Sequence, residues 1–89
     1  MQKRFLIIDE DVRLLGFPLA LTPTELKLLR SIVQNDRMSI DALSMLLHNG
    51  VSRGNVAVHI NAINRKAKCI SARKLVIFFH GAYEINEFM

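Results

Sequence analysis

The segment Val51–Lys68, VSRGNVAVHINAINRKAK, contains no acidic residue and ends in a cluster of basic ones. Its apolar side chains recur at i, i+4, i+7 and i+11, which is the spacing of one buried stripe on a helix. That stripe consists of Val56, Ile60, Ile63 and Ala67. The opposite face and its flanks are slim, and they carry Gly54, Asn55, Val58, His59, Asn61, Ala62, Arg65 and Lys68. The segment therefore predicts a helix over about 52–68 with an outer face free of negative charge.

The residues before this segment predict a second helix and a tight turn. Ser39 is a good N-cap, and a core-facing stripe follows it at Ile40, Leu43, Leu46 and Leu47. His48–Val51 then ends the helix, because its Asn-Gly pair favours left-handed backbone conformations. Ser52 caps the third helix. Two helices joined by a turn of about four residues that contains glycine are typical of a helix-turn-helix.

An earlier helix has a clear start. Thr22 is its predicted N-cap, Pro23 is its first residue, and Glu25 completes a capping box. The helix is expected to continue to Asn35 and to be buried on more than one side. Its apolar residues are Leu26, Leu28, Leu29, Ile32 and Val33.

Short β-branched or apolar segments flank the helices. Arg4–Ile8, Val12–Gly16 and Phe17–Leu21 predict a small antiparallel sheet, in which Pro18 requires an edge strand or a strand entrance. Apolar residues on both sides of a glycine-containing turn predict a β-hairpin over 75–85. The order of strands, three helices and hairpin predicts one α+β domain spanning residues 1–89.

Composition excludes several classes of protein. A chain of 89 residues that is 51% hydrophobic is a folded domain, and its longest apolar run, LVIFF, is too short to cross a bilayer. The N-terminus does not resemble a signal peptide. The single Cys69 cannot form an internal disulfide, which favours the cytoplasm, and we expect it to be a buried thiol. Cys69, His48, His59 and His80 have no paired ligand spacing, so neither a metal nor a cofactor is expected.

Charge is unevenly distributed along the chain. The net charge is +4, yet residues 1–41 carry six basic and six acidic side chains. Residues 42–83 contain no Asp or Glu, and they hold Arg53, Arg65, Lys66, Lys68, Arg73 and Lys74. This separation suits a polyanionic partner, because scattered carboxylates would repel its phosphates.

The third helix has the side chains that a DNA major groove requires. Asn pairs with adenine, Arg with guanine or phosphate, and Val or Ala with the thymine methyl group. A helix N-terminus favours anions, so Ser52 and Arg53 are predicted to hold a backbone phosphate. Phosphate contacts at and beyond the helix end are predicted for Lys66, Lys68, Arg73 and Lys74. The same slim face is also suited to packing against another protein.

These segments together resemble the winged-helix DNA-binding domain of OmpR/PhoB-type bacterial response regulators. GFPLALTPTELKLLRSIVQN is similar to the family's entry into its first helix, with L-T-x-x-E-x-x-L-L. NVAVHINAINRKA is similar to the recognition helix, and LVIFFHGAYEI to the final hairpin. The resemblance implies a winged helix-turn-helix with an N-terminal antiparallel sheet, a three-helix core and a C-terminal wing. We expect no phosphoacceptor receiver domain before the sheet, and therefore either an excised domain or a stand-alone protein.

The resemblance also implies how such a protein would act. It implies a transcriptional regulator that binds double-stranded DNA, with the third helix in the major groove and the wing near the minor groove. His59 matches a position of the family's recognition helix that commonly meets the DNA backbone, and Asn55 matches the Thr that is common near the start of that helix. Arg65 and Lys66 match the basic pair at the end of the family's helix. Family arginines are replaced by Gly54, Asn61 and Asn64, and His80 is the wing's polar candidate. A homodimer on paired half-sites and RNA polymerase are the other implied partners, although the connection that contacts polymerase is shortened to HNGV.

Two other functions are alternatives to DNA binding. Val76, Ile77, Phe78 and Phe79 are consecutive, so they either form an exposed protein-interaction or dimerisation surface or pack on both sides within the domain. The first case would make the chain an interaction module that has lost DNA binding. An enzyme is not expected, because Asp9–Asp11 is typical of a solvated turn and no nucleophile motif surrounds Ser52 or Cys69.

Overall fold

Three helices and two three-stranded antiparallel sheets make up the described part of the chain. The structure is a computed structural model that describes residues 5–8, 11–47 and 53–86. In chain order the elements are β1 Phe5–Ile8, β2 Asp11–Leu14, β3 Phe17–Pro18, α1 Pro23–Asn35, β4 Arg37–Ser39, α2 Ile40–Ser44, α3 Arg53–Ser71, β5 Val76–Phe79 and β6 Ala82–Ile85. The predicted small α+β domain is confirmed at this level.

The N-terminal sheet has the strand order β1-β2-β3. Leu15 and Gly16 join β2 to β3 with positive φ angles of 54° and 84°, the backbone of a tight type I′ turn. Pro18 lies in β3, which pairs with β2 alone, so the predicted edge position is confirmed. An edge strand tolerates proline because its N–H side need not join a ladder.

The start of α1 is as predicted. The Thr22 hydroxyl accepts from the Glu25 amide at 3.2 Å, and the Glu25 carboxylate accepts from the Thr22 amide at 3.0 Å. Asp36, with a φ of 64°, then turns the chain directly into β4. The strand β4 was not predicted, because its three residues lack an apolar alternation and acquire their partner only from β6, far along the chain.

The second helix is shorter than predicted. Its cap is confirmed, since the Ser39 hydroxyl accepts from the Ala42 amide at 3.1 Å, but α2 ends at Ser44 instead of Leu47. The chain tightens there into i to i+3 bonds, such as that from the Leu46 amide to the Leu43 carbonyl at 3.0 Å. The connection to α3 is therefore longer than the four residues predicted, and its part at His48–Ser52 lies outside the described residues.

One core joins the two sheets and the three helices. The predicted stripe of α3 is confirmed, because its four side chains are at most 2% exposed. The apolar stripe of α2 also packs on the core, with Leu43 fully buried. The prediction for α1 was wrong at Val33, which is 38% exposed, because the helix buries a narrower face. The full core is Val12, Leu14, Leu19, Leu28, Leu29, Ile32, Leu43, Val56, Ile60, Ile63, Ala67, Leu75 and Val76.

The C-terminal hairpin is formed over the predicted range. His80 and Gly81 connect β5 to β6 with φ angles of 50° and 78°, again a type I′ turn. The second sheet has the order β4-β6-β5, which leaves β5 at an edge. Asn64 of α3 closes part of that edge. Its buried amide accepts from the Val76 N–H at 2.8 Å and donates to the Val76 carbonyl at 2.9 Å.

We predict that Asn64→Ala destabilises the domain by about 2–4 kcal/mol, because both backbone groups of Val76 lose their partner in a buried position. The free energy of unfolding is measured by urea denaturation. Asn61→Ala is the matched control on the same helix, since the Asn61 side chain is exposed, and it should change stability by no more than about 0.5 kcal/mol. Equal effects of the two substitutions would contradict the assigned role of Asn64.

Candidate nucleic-acid interface

The outer face of α3 is exposed as the helical spacing predicted. Asn55, Asn61 and Arg65 are exposed, and so is Val58, at 63% of its surface. Ala62 is half-buried between them. No acidic side chain belongs to this helix, which runs from Arg53 to Ser71. The face is therefore narrow, polar and free of carboxylates.

Cys69 belongs to this outer face, so the prediction of a buried thiol was wrong. The residue is exposed, and its thiol donates to the Arg65 carbonyl one turn earlier at 3.4 Å. The available signal was its spacing, because position 69 follows Arg65, Ala62 and Val58 by four, seven and eleven residues. Within the described residues, no group of three His, Cys, Asp or Glu side chains is placed to hold a metal ion.

Basic side chains gather where α3 ends. Lys68, Arg73 and Lys74 are exposed. Ala72, with a φ of 61°, ends the helix, and its amide donates to the Lys68 carbonyl at 3.0 Å. The Arg73 amide donates to the Ser71 hydroxyl at 3.3 Å. These bonds fix the backbone that carries the basic cluster next to the exposed face.

Lys66 has a partner inside the domain. Its ammonium lies 2.6 Å from the carboxylate of Glu25, whose side chain is only 6% exposed. The same carboxylate oxygen caps α1 through the Thr22 amide. The ion pair therefore ties α3 to the first turn of α1, and the positive charge of Lys66 is balanced there.

The charges around Glu25 control its ionisation. Burial alone would raise the pKa of the Glu25 carboxyl, but the hydrogen bonds from Lys66 and from the Thr22 backbone, with the electrostatic influence of Lys66 and His59, outweigh burial and lower that pKa. His59 is half-buried, on the side of α3 near Glu25. The carboxylate thus stays ionised in the interior of the domain.

At the start of the helix, Ser52 and the side chain of Arg53 lie outside the described residues. The predicted phosphate contact by these two residues stays a prediction.

The tip of the hairpin is aromatic rather than basic. Phe78 and Phe79 are 58% and 53% exposed, so packing on both sides within the domain is excluded for them. Phe78 lies edge-on to Tyr83 with ring centroids 5.0 Å apart, and Phe79 lies edge-on to the exposed His80 at 4.0 Å. Arg37 of β4 steadies this tip. It donates to the Phe79 carbonyl and forms an ion pair with Glu84 at 3.1 Å.

Comparisons of the chain with protein-family models, with curated proteins and with solved structures found no match. Among the described residues, no helix has the length and apolar character needed to span a membrane.

We predict that Glu25→Gln is destabilising by about 1–2 kcal/mol at pH 7, because glutamine keeps the capping geometry but loses the charge-assisted bond to Lys66. A carboxyl whose pKa is lowered by folding stabilises the fold above its ordinary pKa of about 4.3, and this contribution disappears as the pH falls through the lower, folded value. The difference between wild type and variant should therefore close as the pH falls below about 4.

Urea denaturation from neutral to acidic pH measures this difference. Asp11→Asn is the matched control, since Asp11 forms an exposed ion pair with Arg13 and is expected to contribute little at any pH. A difference for Glu25→Gln that does not change with pH would exclude the carboxylate charge as its source.

Proposed function

We propose that this chain is a sequence-specific, double-stranded DNA-binding transcriptional regulator of the cytoplasm. In this proposal it is a winged-helix domain similar to the OmpR/PhoB-type effector domains. The helix α3 enters the major groove, and the β5–β6 hairpin acts as the wing. The observation that carries the proposal is the exposed outer face of α3, which is narrow and lacks carboxylates. The order of sheet, three helices and hairpin supports it.

Base contacts are assigned to the middle of α3. Asn61 and Arg65 are separated by one helical turn and both are exposed. The asparagine amide matches the hydrogen-bonding edge of adenine, and the guanidinium matches guanine. Val58 and Ala62 are small, so the helix axis can approach the groove floor and meet thymine methyl groups.

Phosphate contacts are assigned to the end of α3 and the segment after it. Lys68, Arg73 and Lys74 are exposed there, and His59 and Asn55 flank the base-reading face. We assign Lys66 to positioning, because its ammonium is bonded to the buried Glu25. Its role is then to hold α3 at a fixed angle on α1.

The remaining contacts of the proposal come from outside α3. His80 is the polar side chain at the wing tip. With few arginines on α3, binding by one copy is expected to be modest, so a homodimer on paired half-sites supplies the missing affinity. A contact with RNA polymerase is assigned to the α2–α3 connection, in which Met45 is 85% exposed.

The test of the proposal is fluorescence-anisotropy binding to a random duplex across a series of salt concentrations. Each phosphate contact should contribute about −0.9 to the slope of log affinity against log salt, so a slope equivalent to several contacts is expected. Undetectable binding at low salt would exclude the proposal. Positive binding leads to selection of a preferred site from a duplex library.

On the selected site, we predict that Arg65→Ala and Asn61→Ala each weaken binding by about 1–3 kcal/mol, because each loses a base contact. Binding to random duplex should change much less. Arg13→Ala is the control, since Arg13 is an exposed arginine of the N-terminal sheet. Equal losses on specific and random DNA would show that these two residues do not read bases.

A second function is favoured by one observation, the exposure of Phe78 and Phe79 on the edge strand β5. Aromatic side chains beside a strand edge are typical of protein interfaces, so the alternative is an interaction or dimerisation module that has lost DNA binding.

For this alternative we predict a stable oligomer in sedimentation velocity together with no DNA binding. Phe78→Ser should then dissociate the oligomer, because its ring provides apolar contact area at the edge. Val58→Ser is the control, since Val58 is equally exposed but lies on α3. A monomer at high protein concentration would exclude self-association through this edge.

A further inference from the structure

Four side chains on the outer face of α3 follow one another along the helix axis. Val58, Asn61, Ala62 and Arg65 lie within an arc of about 100° around the axis, opposite the buried stripe. We call these four residues the reading row. They occupy three successive turns of the helix, with Val58 on the first, Asn61 and Ala62 on the second, and Arg65 on the third.

The polar members of the reading row have hydrogen-bonding groups that the fold does not use. The side chains of Asn61 and Arg65 are exposed and have no hydrogen-bond or ion-pair partner within the part of the chain that the structure describes. By contrast, the Asn64 amide is bonded to the backbone of β5, and the Lys66 ammonium is bonded to Glu25. Asn61 and Arg65 can therefore bond a ligand without breaking a bond to any described residue.

Each turn of the reading row fits one kind of base pair. An asparagine amide forms two hydrogen bonds with adenine, an arginine guanidinium forms two with guanine, and small apolar side chains contact the thymine methyl group. The helix contains no acidic side chain, so it lacks the acceptor that would read the amino group of cytosine. A G·C pair read by α3 must therefore present its guanine to the helix.

The spacing of the reading row fits successive base pairs. In zinc fingers, side chains about one turn apart on a helix in the major groove contact three successive bases. Beyond Arg65, the thiol of Cys69 donates to the Arg65 carbonyl at 3.4 Å, so it offers no donor to a base. The exposed Lys68 and Lys74 lie toward the C-terminal end of α3 and beyond it, and they place the phosphate contacts of the proposed complex on the Arg65 side of the row.

We infer that α3 reads three successive base pairs in the order T·A, A·T and G·C, from its N-terminal to its C-terminal turn. Val58 contacts the thymine methyl group of the first pair. Asn61 and Ala62 contact the adenine and the thymine methyl group of the second, and Arg65 bonds the guanine of the third. This inference rests on the proposed function and names the DNA sequence that the outer face selects.

Selection from a duplex library with randomised positions, followed by sequencing, tests this order in the full chain. The wild type should enrich the triplet. Asn61→Arg should change the preferred base of the second pair from adenine to guanine, and Arg65→Gln should change that of the third from guanine to adenine. In fluorescence anisotropy, each variant should bind the wild-type triplet about tenfold or more weakly than its own altered triplet.

Lys74→Gln is the matched control, because Lys74 is exposed and is assigned to a phosphate. It should reduce the salt slope by about 0.9 and leave the preferred bases unchanged. All three variants should keep the Tm of the wild type, since the replaced side chains are exposed.

Two kinds of failure are distinguishable. A selected site that lacks the triplet would overturn the inference while DNA binding stands, and so would variants whose preference stays unchanged or changes at a pair other than the assigned one. Absence of any DNA binding by the wild type would exclude the proposed function, and the inference with it.

Discussion

The two hydrogen bonds between the Asn64 amide and the backbone of Val76 are the constraint on which the arrangement of α3 and the hairpin depends. They join the middle of the long helix to the first residue of an edge strand. The Asn64 side-chain amide forms hydrogen bonds with the N–H and the C=O of Val76, as the backbone of an adjacent strand would. This part of the β5 edge is therefore closed to other chains. Because Asn64 is buried and its neighbours Asn61 and Arg65 are exposed, one anchored helix both holds the hairpin and presents the outer face. The angle between that face and the hairpin is thereby fixed before any partner binds.

Glu25 supplies the second constraint and combines two tasks in one carboxylate. It caps α1 through the Thr22 amide and receives the Lys66 ammonium from α3. Burial of a carboxylate is unfavourable unless it is hydrogen-bonded and paired with a counter-ion. Here the Thr22 amide supplies the hydrogen bond and the Lys66 ammonium supplies the counter-ion. The consequence for the outer surface is a loss of one free positive charge. Of the basic residues near the C-terminal half of α3, Arg65 and Lys68 extend into solvent while Lys66 is only half exposed.

Elements determined by local patterns were predictable from the sequence, and those determined by distant partners were not. The capping box of α1, the buried stripe of α3 and the hairpin turn each depend on residues a few positions apart. By contrast, β4 has three residues and pairs with β6, and Asn64 meets Val76 twelve positions later. The ion pair of Lys66 spans forty-one positions, so a basic residue expected to meet phosphate proved to have an internal partner. Cys69 differs from its prediction for another reason: cysteine is among the most buried residue types, but the position of Cys69 on α3 places it on the exposed face.

Positive charge occurs on two surfaces of this small domain. The side chains that surround the charges differ between the two surfaces. On α3 the exposed arginine and lysine lie among asparagine, alanine and valine, which are small enough for a grooved polyanion to approach closely. On α1, Arg30 lies between Leu26 and Val33, and its Nη2 is shielded from solvent with no hydrogen-bond partner among the described residues. The charges on α3 are therefore surrounded by small polar and apolar side chains, whereas the charge of Arg30 is flanked by larger aliphatic ones. Since α1 and α3 share one core and the Glu25–Lys66 ion pair, the first turn of α1 also sets the orientation of the outer face.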